Sequence, residues 1–316
     1  MTEVLKETNF GFLGKKKAGK VRDIYEPSTD SGQGSLIFIS TDRHSSFDRI
    51  IAHIPHKGQV LNQVSAWWFE QTKDIVPNHV LAVPDPNVTV GKKMRTIPIE
   101  AVVRGYLTGV TDTAIWTRYS KGERSFGDIK LPDGMKKNQR LATPVFDPTT
   151  KEEKHDRILS VDELISEGFV TKELFELVKQ TALSLFAKGQ EIAAGRGLIL
   201  VDTKYEFGMN EKDELVLIDE IHTPDSSRYW QLRSYEEHIA AGEEPEYFDK
   251  EFLRLWFKEH CDPYKDAVLP AAPEELVEEM SRRYIQMYEQ ITGEKFIAGE
   301  EPMIPRMEQN LKQYAI

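Results

Sequence analysis

The chain has 316 residues, of which 40% are hydrophobic and 29% charged, and a formal net charge of -11. This composition is typical of a globular protein with a sizeable core, and the length predicts about two domains. The charge argues against a nucleic-acid binder, because phosphates are repelled, so a phosphorylated ligand needs a local basic pocket. Cys261 is the only cysteine, which excludes an intrachain disulfide. No apolar run approaches membrane-spanning length and no secretion signal is recognisable, so we expect a cytoplasmic protein without membrane contact.

The first part of the chain predicts short strands separated by turns. Strands are expected over residues 21–25, 35–40 and 96–104. One helix is expected over residues 59–72, where large apolar side chains recur at helical spacing. The polar stretch 121–156 is rich in Gly, Pro and Lys and predicts long surface loops.

Helix caps organise the second half of the chain. Ser160 and Glu163 have the spacing of a capping box, in which each side chain bonds the backbone of the other residue. Thr171 is suited to cap the next helix, and Pro273 and Gly293 are placed to begin and end a C-terminal helix. Two strand-like runs, 198–207 and 215–221, lie between these helices. A strand-rich first part followed by helices and a hairpin indicates an α+β fold with two lobes.

The most informative motif lies on the predicted hairpin. Side chains alternate faces along a strand, so Asp202, Lys204 and Glu206 share one face. In the assumed register Glu206 lies opposite Asp219, and two opposed carboxylates are destabilising unless a cation neutralises them. Mg²⁺ binds through one or two carboxylates together with nucleotide phosphates, so the motif predicts a magnesium site. A solvated polar face is the alternative, and a slip by one residue would bring Glu220 to the site.

The segment GKKKAGK at residues 14–20 nearly matches a P-loop. Val21 stands where a P-loop has its magnesium-binding Ser or Thr, and strand-like residues follow, which excludes a P-loop NTPase. A hairpin lid fits better, because Gly19 lets the backbone approach phosphates while Lys20 and Arg22 add positive charge. An ordinary basic surface turn remains the alternative.

Two further segments contain candidate ligand groups. Pro98 indicates that residues 97–109 form an edge strand or a crossing, with backbone amides that could bond a purine. Arg104 could clamp a carboxylate or phosphate bidentately. Residues 223–230 follow the acidic strand and carry a carboxylate, two hydroxyls and the guanidinium of Arg228. An Asx-turn with a surface arginine is an equal alternative there.

These motifs together resemble the SAICAR synthase family of purine biosynthesis. The matching stretches are GKVRD from Gly19, IPIEAVVRGYLTG from Ile97, VDTKYEFG from Val201, DE from Asp219 and TPDSSRYW from Thr223. The resemblance implies an ATP- and Mg²⁺-dependent ligase that joins L-aspartate to the carboxylate of a carboxyaminoimidazole ribotide, giving SAICAR, ADP and phosphate. All of its substrates are small molecules.

The resemblance also implies an architecture distantly similar to protein kinases and ATP-grasp enzymes. It has a small antiparallel β-rich ATP-binding lobe, residues 1–100, and a larger α+β substrate- and metal-binding lobe with C-terminal helices, residues 101–316. The implied site residues are Gly19, Lys20 and Arg22 in a phosphate lid, Ile97 and Glu100 near the adenine, Glu206 and Asp219 at the metal, Arg104, Ser227 and Arg228 at the ribotide, and Asp48, Asp202, Lys204 and Asp225 near the reacting groups.

One position departs from the family pattern. Val110 stands where the family has a serine expected to contact the ribotide phosphate, and valine cannot donate a hydrogen bond. Thr111 and Thr113 are near enough to substitute, and Thr111 or Asp112 could cap a helix over residues 113–119 whose amides point at the phosphate. We therefore predict that a threonine hydroxyl, this helix start and Arg228 hold the phosphate. The alternative is that Thr111 only caps the helix.

The sequence alone leaves open the role of Asp202 and the choice between a ligase and two rival functions. Asp202 is the candidate to take a proton from the aspartate amine, with an equal case for a purely orienting role. The rival functions are a small-molecule kinase with a two-lobed ATP site and a nucleotide-binding regulatory module. No HRDxxxxN catalytic loop is present, which disfavours the kinase.

Overall fold

The computed structural model describes residues 2–27, 34–47, 49–151, 157–246 and 251–315, without the side chains of residues 251 and 252. The predicted site residue Asp48 therefore lies outside the described residues. The chain divides into two compact units. Unit 1 comprises Met1–Glu70, His79–Lys93 and Phe248–Ile316, and unit 2 comprises Gln71–Asn78 and Met94–Tyr247.

Strands and helices alternate along the chain. The strands are β1 (Lys15–Ala18), β2 (Arg22–Glu26), β3 (Ser35–Ser40), β4 (Arg43–Ser46), β5 (Arg49–His53), β6 (Val80–Asp85), β7 (Val88–Lys92), β8 (Arg95–Tyr106), β9 (Ser125–Phe126), β10 (Ile129–Lys130), β11 (Arg140–Phe146), β12 (Thr149–Thr150), β13 (Leu198–Met209), β14 (Leu215–Ile218) and β15 (Ser227–Gln231). The helices are α1 (Lys57–Thr72), α2 (Ile115–Ser120), α3 (Val161–Ser166), α4 (Lys172–Gly195), α5 (Leu232–Ala241), α6 (Glu251–His260), α7 (Glu274–Thr292) and α8 (Met303–Leu311). Helices and antiparallel sheets in this arrangement confirm the predicted α+β class.

Unit 1 is built on a five-stranded antiparallel sheet in the order β1-β2-β3-β7-β6. Alternate residues of β2, β3 and β7 are buried, as expected for strands with one face on a core. Three side chains of α8 at helical spacing, Met303, Met307 and Leu311, belong to the same core. Burying such side chains contributes roughly 1.5–3 kcal/mol each. The C-terminal helix therefore groups with unit 1, whereas the predicted division places residues 101–316 in one lobe.

Unit 2 is built on a six-stranded antiparallel sheet in the order β11-β8-β13-β14, with β12 also paired to β8 and β15 to β13. The two longest strands, β8 and β13, lie side by side at its centre. Helix α4 packs against both strands. It begins at its cap Thr171, whose hydroxyl accepts the amide of Leu174 at 3.2 Å, as predicted. This sheet carries most of the predicted site residues.

Several sequence-based expectations need correction. The strand at Pro98 is central and not an edge, because β8 pairs with β13 on one side and with β11 and β12 on the other. The ladder to β13 is irregular between Glu206 and Gly208, and this irregularity accommodates a residue that has no amide proton. The stretch after residue 121 is not only loops, since its described part includes β11 of the main sheet.

Other local predictions are confirmed. Ser160 and Glu163 form the capping box in both directions, and Gly293 ends α7 in the left-handed conformation with φ +76°. The helix predicted over residues 59–72 begins two residues earlier, at Lys57. Among the described residues, no helix is both long enough and apolar enough to cross a membrane.

Candidate active site

Two carboxylates face each other at the centre of the unit 2 sheet. Glu206 on β13 lies directly opposite Glu100 on β8. Lys204, on the same face of β13, places its Nζ 2.6 Å from Glu100 Oε1 and 3.4 Å from Glu206 Oε1. Like charges in opposed positions destabilise a sheet unless a cation is near. In the described structure the ammonium of Lys204 lies at that position, on the face that the alternation of residues 202, 204 and 206 predicted.

The ammonium of Lys204 stays charged. Burial opposes its charge, but the carboxylates of Glu100 and Glu206 outweigh burial, so the pKa of Lys204 is raised. The negative charge of Asp219 acts in the same direction. A second lysine, Lys151, donates to the other oxygen of Glu206, whose side chain is only 8% exposed. Glu206 is thus a buried carboxylate between two cations.

The predicted pairing of Glu206 with Asp219 is wrong by one residue. In the β13–β14 hairpin Glu206 lies opposite Ile218, the last residue of β14. Asn210 fixes this register, because its side-chain oxygen accepts the amides of Lys212 and Glu214 at 2.9 Å each. Asp219 follows with φ +69°, so the backbone turns out of the strand there.

The donor set of this cluster fits a magnesium ion that a nucleotide helps to bind. Among the described residues, no group of three or more His, Cys, Asp or Glu side chains could hold a metal ion. Mg²⁺ prefers oxygen ligands and commonly takes one or two carboxylates plus phosphate oxygens and water. Glu206 and Asp219 are two such carboxylates, and the negative charge of each raises the pKa of Lys204. Phosphates and water would supply the other ligands.

A row of charged side chains crosses three strands beside this cluster. Asp202 on β13 lies opposite Arg104 on β8 and opposite Arg228 on β15. Arg228 Nη1 donates to Asp202 Oδ2 at 2.5 Å. Residues directly opposed in a sheet share a face, so two guanidinium groups flank one carboxylate. The row has a net positive charge and can bind an anion.

The loop before β15 is held by its own hydroxyl groups. The amide of Thr223 donates to Ser226 Oγ at 3.1 Å, and the amide of Asp225 donates to Thr223 Oγ1 at 3.3 Å. Ser227, predicted to contact substrate, donates its hydroxyl to Thr203 Oγ1 at 2.7 Å. The compact loop leads directly into Arg228.

The segment after β8, which contains Val110, differs from the prediction in where its helix begins and in how that helix is capped. Helix α2 begins at Ile115 with Ala114 as its N-cap, and no side chain caps it. Thr111 is therefore not a helix cap, and the helix predicted over residues 113–119 is shorter and begins later. The hydroxyl oxygens of Thr111 and Thr113 are exposed and lie 3.4 Å apart.

The predicted lid forms the turn between β1 and β2 in unit 1. The amide of Gly19 donates to Arg22 O at 2.7 Å, and a Cβ on Gly19 would lie 3.0 Å from that oxygen. Buried Arg43 donates to the carbonyls of Gly19 at 3.0 Å and Lys20 at 3.3 Å. It also pairs with Asp23 at 2.9 Å. The turn is thus held in place through its carbonyls, while the Lys20 side chain is exposed.

The family model for SAICAR synthetase matches residues 15–271. The chain therefore belongs to the SAICAR synthetase family. A phosphoribosylaminoimidazole-succinocarboxamide synthase of Legionella pneumophila (strain Paris) is 56% identical over 298 residues, which cover 94% of each chain. The chloroplastic enzyme of the same name from Arabidopsis thaliana is 52% identical over 320 residues, covering 99% of this chain and 76% of that protein.

Solved structures agree with this family assignment. The SAICAR synthase of Saccharomyces cerevisiae, solved in complex with SAICAR, has a TM-score of 0.79 and 31% identity, covering 93% of this chain and 100% of that one. A type-2 SAICAR synthetase in complex with ADP has a TM-score of 0.67 and 23% identity, covering 90% of this chain and 100% of that one, and supports the fold.

The structure brings some predicted residues together and adds others. Arg104, Asp202 and Arg228 form one row, and Glu100 joins Lys204 and Glu206 in one cluster. The family resemblance implies instead a position near the adenine for Glu100. Sequence reasoning missed Lys151 and Asp147, which contact Glu206 and Arg104. Both lie in the stretch predicted to be loops, so no periodicity marked them.

Proposed function

We propose that this chain is an ATP-dependent ligase of purine biosynthesis. It joins L-aspartate to the carboxylate of 5-amino-1-(5-phospho-D-ribosyl)imidazole-4-carboxylate and releases SAICAR, ADP and phosphate. The proposal rests on one observation about strand β13. Asp202, which lies in the arginine row, and Lys204 and Glu206, which lie in the carboxylate–lysine cluster, share one face of this strand. Strong identity to synthases of this name over most of the chain supports it.

The reaction needs a site that binds the ribotide and a site that binds the phosphates of ATP, and β13 supplies groups for both. A carboxylate is a poor electrophile, and phosphorylating it creates a leaving group that an amine can displace. Positive groups stabilise the charge that develops on the transferring phosphoryl group. Glu206 and Asp219 would hold Mg²⁺, which would add positive charge at the phosphates. Lys204, whose raised pKa keeps it protonated, contributes a second cation from the protein.

Asp202 has an orienting role in this proposal. Its carboxylate accepts from Arg228 at 2.5 Å and lies opposite Arg104, so its charge is already used to fix a guanidinium. Arg104 and Arg228 are then the groups that bind the ribotide.

Other assignments follow from the family resemblance. Gly19, Lys20 and Arg22 would contact the phosphates of ATP, and the backbone near Ile97 would contact the adenine. The reacting groups would meet Asp225 and Asp48, with Ser227 at the ribotide. Substrates are small molecules, and a cytoplasmic location suits such an enzyme. Nothing in the described residues favours the kinase alternative.

We further propose that Thr111 replaces the family serine at the ribotide phosphate. The hydroxyls of Thr111 and Thr113 are exposed next to Gly109, where a Cβ would lie 3.8 Å from Arg228 Nη1. Thr111→Val and Thr113→Val are compared for their ribotide KM, with thermal melts as a folding control. If neither change raises that KM, another group binds the phosphate.

The decisive assay measures ADP release with each substrate omitted in turn. ADP is expected only when the ribotide, L-aspartate, ATP and Mg²⁺ are all present, apart from slow background hydrolysis. ADP release that proceeds equally without aspartate and ribotide would reject the ligase. ATP binding without ADP release under every mixture would instead support a regulatory module.

A further inference from the structure

A buried carboxylate behind the arginine row contacts two guanidinium groups. Asp147 follows β11, and its side chain is 4% exposed. It accepts from Arg104 Nε at 2.9 Å and from Arg118 Nη1 at 2.8 Å. Its own amide donates to Val102 O on β8 at 2.9 Å. The carboxylate is thus anchored to the strand that carries Arg104.

Arg118 also contacts a second carboxylate, that of Glu123. Its Nε donates to Glu123 Oε2 at 2.9 Å and its Nη2 to Glu123 Oε1, a two-point contact between guanidinium and carboxylate. Its guanidinium also lies over the ring of Phe126, 4.8 Å from the centroid. Arg104 has no comparable second partner among the described residues, because its other acceptor is the carbonyl of Thr113 at 3.3 Å. Among the described residues, Asp147 is therefore the one carboxylate that accepts a hydrogen bond from Arg104, whereas Arg118 contacts two.

The contacts of Arg104 leave one edge of its guanidinium for a ligand. Nε donates to Asp147 and Nη2 donates to Thr113 O, while Nη1 donates to no protein acceptor among the described residues. The residue is only 9% exposed. A guanidinium edge without a protein acceptor, on a side chain that is otherwise held in place, is suited to an anion that accepts from it. Arg104 also lies opposite Asp202 in the row that ends at Arg228.

We propose that Asp147 is a positioning residue that fixes the rotation of the Arg104 guanidinium, so that Nη1 meets an anionic group of the ribotide. The inference rests on the proposed function, because it takes the ribotide as the ligand of Arg104. Asp147 itself does not touch the substrate. It acts by keeping a long side chain in one orientation before the substrate binds, which lowers the entropy lost on binding.

Replacing Asp147 changes both the charge of the site and the positioning of Arg104, and these two effects change the ribotide KM in opposite directions. Removing a carboxylate makes the site more positive, which by itself strengthens binding of an anion and lowers the ribotide KM. Loss of positioning weakens binding and raises that KM. A lost hydrogen bond between charged groups corresponds to about 10- to 100-fold in affinity. The direction of the change therefore separates the two effects.

The experiment compares three variants of the full chain by steady-state kinetics with each substrate varied. We expect Asp147→Ala to raise the ribotide KM by about 10- to 100-fold and to leave the KM values for ATP and aspartate within about twofold. Asp147→Asn keeps one acceptor oxygen without the charge, so it should recover at least part of the loss. Glu123→Gln is the matched control, because it weakens a partner of Arg118 but none of Arg104, and should change no KM more than about twofold.

Three results would overturn the inference. They are a ribotide KM that falls or stays unchanged in Asp147→Ala, equal effects of the Ala and Asn variants, and equal rises in all three KM values. If Asp147→Ala does not fold, the same substitution is made together with Arg118→Met. The double variant loses one buried negative and one buried positive charge, so neither charge is left without its partner. Compared with Arg118→Met alone, the double variant should again raise the ribotide KM at least about tenfold. A ratio near one overturns the inference.

The proposed function and this inference fail in different ways. If the unmodified chain releases no ADP with the complete substrate mixture, the proposed function is wrong. If the unmodified chain is active and Asp147→Ala keeps its ribotide KM, only the positioning role is wrong.

Discussion

Replacing Lys204 with methionine tests the carboxylate cluster directly. The change removes the cation that lies 2.6 Å from Glu100 and 3.4 Å from Glu206, while the two opposed carboxylates remain. Removing one partner of a buried ion pair costs about 3–5 kcal/mol. The Lys204 side chain is 35% exposed and Lys151 still contacts Glu206, so solvent and a second cation reduce this. We expect unfolding free energy to fall by about 1–3 kcal/mol.

Magnesium should distinguish this variant from an ordinary destabilised protein. A divalent cation can neutralise carboxylates that have lost their lysine, so Mg²⁺ should bind and stabilise Lys204→Met more than the unmodified chain. At ten times its dissociation constant, a ligand adds about 1.4 kcal/mol of stability. Urea unfolding with EDTA or with Mg²⁺ measures both effects.

The matched control for this experiment is Lys188→Met. Lys188 forms an exposed pair with Glu191 at 3.4 Å on α4, and such pairs contribute little. The reasoning is refuted if Lys204→Met unfolds like the unmodified chain in EDTA. It is also refuted if Mg²⁺ stabilises both proteins equally.

Three further predictions follow from the same structure. Glu206→Gln and Asp219→Asn should each abolish Mg²⁺-dependent turnover with the fold retained, and normal turnover of both at saturating Mg²⁺ would reject these ligands. Lys20→Ala should mainly raise the KM for ATP and Arg228→Ala that for the ribotide, by about 10- to 100-fold each, and an Arg228 effect confined to ATP would contradict the assignment. Burial lowers the pKa of His222 from 6.5 to about 3, so the unfolded chain takes up this proton first on acidification. Its contribution to stability is full above pH 6.5 and is lost as the pH falls towards 3, by about 2 kcal/mol between pH 6.5 and pH 5. Between pH 6.5 and pH 5, the unfolding free energy of His222→Gln should therefore fall by about 2 kcal/mol less than that of the unmodified chain. Equal falls in the two proteins would exclude the histidine as the cause.

Local patterns predicted much of the fold. The capping box at Ser160, the cap at Thr171 and the left-handed Gly293 depend only on neighbouring residues, and all three formed as predicted. Alternation along β13 likewise predicted that residues 202, 204 and 206 share a face. These features could be predicted because the physical cause lies within a few residues of the effect.

Features that depend on pairing between distant strands could not be predicted. The contact of Glu100 with Lys204 requires the register of β8 against β13, which no local pattern gives. The hairpin register was wrong by one residue, because the side chain of Asn210 sets the turn. Asp147 lies outside the strands and helices, so its contact with Arg104 emerges only from the folded chain.

The central claim is that the chain phosphorylates the carboxylate of the ribotide before aspartate attacks it. Ribotide labelled with ¹⁸O in that carboxylate tests this claim most directly. Phosphorylation joins a carboxylate oxygen to phosphorus, and attack by the amine then breaks the bond between carbon and that oxygen. We predict one ¹⁸O atom in each phosphate released and the other in the amide carbonyl of the product, measured by mass spectrometry. Phosphate without ¹⁸O, formed together with the product, would contradict the claim.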